Sequence, residues 1–148
     1  LTLAAQGRSI ISSIILEEFA MRISDQDYFR SCIARERHLA QLLGHRQIEE
    51  CYESVGTLWD GNQKLPAWTR DWAACGPLLA RHGLSVAFVT PEGADEPDHA
   101  DIGATRVLFS EHPDRDRALM SGIVREVVRL LEHPHPHLAA AEPLRPLP

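Results

Sequence analysis

The sequence predicts an α+β fold: one four-stranded, mainly antiparallel sheet carrying helices, in the order α-β-β-α-β-β-α. Three observations predict it. Three stretches repeat apolar residues at helical spacing behind polar capping residues. Between them lie pairs of short apolar runs broken by turn residues. Strand pairs alternating with helices bury best as one sheet with helices laid on it.

The segment "ISDQDYFRSCIARERHLAQLLGH" predicts the first helix. Ser24 is its N-cap, Asp27 sits in the capping-box position, and Asp25 and Asp27 complement the positive end of the helix dipole. Phe29, Cys32, Ile33, Ala40 and Leu43 recur at helical spacing, and Gly44 supplies the stop. In "QIEECYESVGTLWDGN" the period changes to alternation, and Asp60-Gly61 marks a turn, so two short strands are expected. "LPAWTRDWAACGPLLARHG" predicts the second helix, capped by Thr69 and ended by Gly83. Pro77 falls inside it, which predicts either a kink at Cys75-Gly76 or a helix that starts near Pro77.

"LSVAFVT" is the clearest strand, with Leu84, Val86 and Phe88 on one face. "PEGADEPDHADIG" reads as a loop, and "ATRVLFS" as the strand that pairs with the one before that loop. "HPDRDRALMSGIVREVVRLLE" is the last helix, with Ser110, Pro113 and Asp114 suited to its start. Met120, Ile123, Val124, Val127 and Leu131 form its apolar stripe, and Arg115, Arg117, Glu126 and Arg129 lie away from it.

The bulk properties narrow the functional classes. A chain of 148 residues suits one domain, burying roughly two thirds of its unfolded surface. A net charge of -6 argues against general nucleic-acid binding, which needs a basic face. Mean hydropathy of -0.21 points to a soluble protein. Cys32, Cys51 and Cys75 stand far apart with no metal-binding spacing, so they are expected to be reduced thiols in a cytoplasmic protein. Lys64 is the one lysine among fifteen lysines and arginines. With abundant Ala, Pro and Gly, that usage points to a GC-rich genome and a bacterial host.

The ends read differently from the centre. Leu16-Glu17-Glu18 is naturally encoded CTG-GAG-GAG, which contains a ribosome-binding sequence, and Phe19 and Ala20 separate it from Met21. Residues 1–20 are therefore expected to be a translated leader or a disordered extension, and 21–132 the domain. "HPHPHLAAAEPLRPLP" at 133–148 has the composition of a disordered tail.

The central stretch carries a family resemblance. A Leu-Trp pair, a polar turn and "LPAWTRDWAACGPLLARHGLSV" follow one another. They combine a proline, an aromatic, a Thr-x-Asp helix start, a Leu-Leu pair and a glycine leading into a strand. In this the chain resembles the phage ABA-sandwich domain family of small phage and prophage proteins, over roughly Tyr28 to Glu132. Pro77 and the segment "ARERHLAQLLGHRQ" depart from the family pattern. The resemblance implies a helix–sheet–helix sandwich and a phage origin, and carries over no catalytic residue.

Few residues stand out as sites. Trp59 and Trp72 are placed for the core, each worth about 4–6 kcal/mol of buried area as an upper bound. Trp68 precedes the helix cap at a hydrophobic-staple position facing Ala73 or Ala74 and also reads as core, the least committed of the three; with Arg70 it is the candidate partner surface. Asp95, Asp98, His99 and Asp101 offer oxygen and nitrogen ligands to a cation, but without the glycine turn and terminal bidentate acid of a calcium loop. His133, His135 and His137 alternate in a segment too extended to converge on a metal. Ser110, His112 and Asp114 supply triad residue types within a few positions, but Ser110, Pro113 and Asp114 suit a helix start better. No cofactor is expected. The reading that follows is a small phage or prophage accessory protein of the host cytoplasm. It would bind a host or phage protein, not nucleic acid or membrane. The rival is a metal-dependent enzyme or ligand-binding protein using residues 95–101.

Overall fold

The structure, a computed structural model, describes residues 25–134. The expected leader, the Ser24 cap and most of the tail, including His135 and His137, lie outside the described residues. Helix α1 occupies 25–42 and stops where expected. Gly44 takes a positive φ of 100°, and His45 N–H returns to the Ala40 carbonyl at 3.1 Å. Strands β1 (Ile48–Glu50), β2 (Leu58–Asp60) and β3 (Gln63–Lys64) follow. Helix α2 (Trp72–His82), strands β4 (Val86–Val89), β5 (His99–Ile102) and β6 (Thr105–Leu108), a short 3-10 turn (Phe109–Glu111) and helix α3 (Arg115–Glu132) complete the order.

The fold is α+β, but the single four-stranded sheet expected from the sequence is replaced by two three-stranded antiparallel sheets, β1-β2-β3 and β4-β5-β6. Two strands account for the difference. β3 forms because the Gly61-Asn62 turn brings Gln63 back onto Asp60. β5 lies inside the segment read as a loop, where His99-Ala100-Asp101-Ile102 alternates over only four residues. A two-residue turn, with Gly103 at φ 57°, folds β6 back onto β5, pairing Ile102 with Thr105. β5 is thus the middle strand, and β4 and β6 are not neighbours.

α2 starts later than the sequence suggests. Its N-cap is Asp71, whose side chain accepts from Ala73 N–H at 3.0 Å, while Thr69 turns inward to Glu36. The helix runs through Pro77 to Gly83, which closes it in the left-handed conformation. α3 begins after Asp114, whose carboxylate accepts from Arg117 N–H at 2.7 Å.

α3 lies at the centre. It packs against α2 on one side and against β5 and β6 on another. Its stripe Met120, Ile123, Val124 and Val127 joins Ile33, Leu39, Ala40, Leu58, Leu65, Trp68, Cys75 and Leu78 in one core. On its sheet side Gly122 is required for close approach: a Cβ there would meet Ile102 Cδ1 at 2.5 Å and Val107 Cγ1 at 2.8 Å. No helix among the described residues is long and apolar enough to cross a membrane.

Candidate functional site

Two buried carboxylates come first, because a buried acid with spare hydrogen-bonding capacity is a candidate for chemistry. Glu36, 1% exposed, sits in the apolar stripe of α1 between Ile33 and Leu39. Its Oε2 accepts from Thr69 N, Thr69 Oγ1 and Arg70 Nε, and its Oε1 accepts from Arg70 Nη2 at 2.7 Å. Arg70 is held protonated more firmly than usual, chiefly by this hydrogen-bonded pairing. Glu126, 2% exposed, was expected away from the buried stripe of α3 and instead faces the β5–β6 turn. It accepts from Thr105 Oγ1 at 3.0 Å, Ala104 N at 3.3 Å and Arg129 Nε at 2.7 Å. The Arg129 hydrogen bonds hold its carboxyl below the usual range. Both acids are saturated by their neighbours. They fasten elements together.

A second titratable pair joins α1 to the segment before α3. Tyr28 Oη lies 2.6 Å from His112 Nδ1, beside a cleft of about 210 Å³ lined by Asp25, Ser110, Glu111 and Pro113 as well. Burial pushes the Tyr28 phenol up to about 12 and the His112 imidazole down. The phenol therefore donates to a neutral ring.

The residues singled out from sequence are placed as follows. Trp68 is 6% exposed and packs in the core, and Arg70 is committed to Glu36, so the expected Trp68–Arg70 partner surface does not form. The physical reason is the buried Glu36 carboxylate, which holds Thr69 and Arg70 next to Trp68 by four hydrogen bonds. Trp72 was expected in the core but is 39% exposed. It occupies the first position of α2, overhangs the end of the core, and donates its indole N–H to Asp116 at 3.0 Å. Trp59 is half-buried.

The acidic segment is divided rather than gathered. Asp98 bonds His99 Nδ1 at 2.6 Å, Asp101 pairs with Arg106 at 2.9 Å, and Asp95 is exposed. Among the described residues no three His, Cys, Asp or Glu side chains converge to hold a metal ion. His133, the described member of the tail histidines, is exposed.

What the sequence reading missed is the edge of the second sheet. β4 pairs with β5 on one side, and among the described residues no strand pairs with its other side. The Ser85 carbonyl accepts from Gly103 N at 3.1 Å and the Val89 carbonyl from Asp98 N at 3.2 Å. By alternation the backbones of Ser85, Ala87 and Val89 bond inward, and those of Val86 and Phe88 face the open edge. Phe88 is 54% exposed. Its ring lies 6.1 Å from Phe109, and the Arg115 guanidinium sits 5.2 Å above the Phe109 ring. The strand edge thus lies beside two phenylalanine rings and an arginine, side-chain types enriched at interfaces. The signal lay in "LSVAFVT" itself, but edge position depends on finding β5.

No family model, curated protein or solved structure matches the chain.

Proposed function

We propose that the protein is a binding module that captures an extended segment of another protein along the open edge of β4. The observation that carries this reading is the unpaired outer side of Val86–Val89 next to exposed Phe88. Main-chain hydrogen bonds to Val86 and Phe88 would supply affinity, and alternate side chains of the added strand would supply specificity. Phe88 and Phe109 favour an apolar residue in the partner, and Arg115, held only loosely by Glu96 at 3.4 Å, favours an acidic one. The further reading as a phage or prophage accessory protein of the bacterial cytoplasm rests on the sequence resemblance and on residue usage.

Affinity co-purification from a bacterial lysate tests the proposal when wild type and Phe88→Lys are compared. A lysine on the strand edge blocks strand addition without touching the core. A stoichiometric partner retained by wild type and lost by the variant supports edge docking. A partner retained equally by both places the docking elsewhere.

A further inference from the structure

The seam between α1 and α3 holds positive charge that no carboxylate among the described residues pairs in full. A cleft of about 300 Å³ is lined there by Arg35 and His38 from α1 and by Arg125, Val128, Arg129 and Glu132 from α3. Two of these groups are already engaged. Arg129 is bound to Glu126 at 2.7 and 2.8 Å, and His38 Nε2 lies 3.1 Å from Glu132 Oε1. Arg35 and Arg125 are both partly buried, and among the described residues neither has a carboxylate within ion-pair distance.

That arrangement is costly unless something else occupies it. A guanidinium taken partly out of water needs hydrogen-bond acceptors or a counter-charge. Burial, and then the charge of Arg125, pull the Arg35 pKa downward, which is the direction expected of two cations facing one cavity.

We propose that this cleft is a binding site for a phosphate group, gripped between the Arg35 and Arg125 guanidinium groups. A dianion neutralises both cations at once, whereas a monoanion leaves one unmatched. The planar forks of two arginines suit the tetrahedral oxygens of phosphate, each fork offering paired N–H donors. The cleft volume falls at the small end of ligand sites, about 300–1,000 Å³. Val128 and the aliphatic stems of the arginines give it an apolar wall against which the organic part of a phosphate monoester would rest. Glu132 is the opposing charge in the same cleft, and it lies 3.1 Å from His38 Nε2. The site uses no residue of the β4 edge, so it stands or falls independently of the docking reading.

Thermal melting of the full chain tests it, in inorganic phosphate against chloride at equal ionic strength and neutral pH. The expected result is a saturable rise in Tm of roughly 2–4 °C in phosphate. Arg35→Met and Arg125→Met each abolish that rise, and Arg117→Met, which lies outside the cleft lining, keeps it. In chloride Arg35→Met melts at or above wild type, because an unmatched, partly buried charge has been removed. Should Arg35→Met not fold, Arg35→Lys replaces it; it retains the charge, loses the fork, and weakens phosphate binding about tenfold. Glycerol 3-phosphate then separates the sources. Tighter binding than inorganic phosphate assigns an organic phosphate, equal or weaker binding assigns the free ion, and both uphold the site. Identical wild-type melts in phosphate and chloride overturn the proposal, as does a phosphate shift that survives in both methionine variants.

Discussion

Glu36 and Arg70, thirty-four residues apart in sequence, meet as a two-pronged ion pair at 2.7 and 3.0 Å, with the carboxylate buried. Arg70 also donates to the Gly56 carbonyl at 2.8 Å. One side chain thus ties α1, the β1–β2 loop and the approach to α2. Removing Glu36 leaves the partly buried Arg70 without its counter-charge and Thr69 without its acceptor. Glu36→Ala is expected to lower stability by about 3–5 kcal/mol, read as a fall in the urea midpoint at unchanged m. A loss below about 1 kcal/mol would mean that the pair is not formed in solution.

Gly122 and Gly76 make opposite predictions for the same substitution. Gly122→Ala places a methyl against Ile102 and the stiff Val107, and is expected to cost about 1–3 kcal/mol. Gly76 lies inside α2 with nothing within 4 Å of an added Cβ, so Gly76→Ala is expected to stabilise by about 0.4–1 kcal/mol. Paired thermal melts decide it: a neutral or stabilising Gly122→Ala would contradict the packing of α3 on the sheet, and a destabilising Gly76→Ala would contradict the open face of α2.

Glu126 predicts acid sensitivity. Its folded pKa lies below the unfolded value of about 4.3, so the unfolded chain binds the proton more readily. The stability it contributes is complete above about pH 4.3 and is lost as pH falls through the lower folded value. Glu126→Gln should flatten the stability profile in that window while lowering the plateau above it.

The Tyr28–His112 pair predicts a second, milder dependence at higher pH. His112 is half-buried, and burial holds its folded pKa below about 6.5. Its contribution is therefore present above about pH 6.5 and declines as pH falls below it, because the unfolded ring takes up the proton first. His112→Phe should remove this slope between about pH 5 and 7. Tyr28→Phe should cost about 0.5–1.5 kcal/mol at pH above 7, the worth of the lost hydrogen bond.

Local rules carried the three helices and four of the strands, and failed on β3, β5 and the pairing of strands into sheets. Gly44, Gly83, Asp114 and the Asp60-Gly61 turn act where chain chemistry places them, because each effect spans six residues or fewer. β5 escaped because its four residues include a histidine and an aspartate, and its strand character comes from pairing on both sides. Glu36 was legible in principle: a charged residue at the centre of the stripe Phe29, Cys32, Ile33, Leu39 and Ala40 must be buried with a partner. The identity of that partner was not, since Arg70 is reached only through the tertiary fold. Trp72 fell on the wrong side of the core boundary by standing at the first position of α2. The candidate edge at Phe88 and the Arg35–Arg125 cleft both depend on which elements lie side by side, which no single segment encodes.

The most direct test of edge docking is amide hydrogen exchange at β4, first in the free protein and then in the co-purified complex. Ala87 and Val89, bonded inward, are predicted to exchange slowly in both. Val86 and Phe88 are predicted to exchange fast in the free protein and to become protected in the complex. Protection of Val86 and Phe88 already in the free protein, or their continued fast exchange in the complex, would contradict the account.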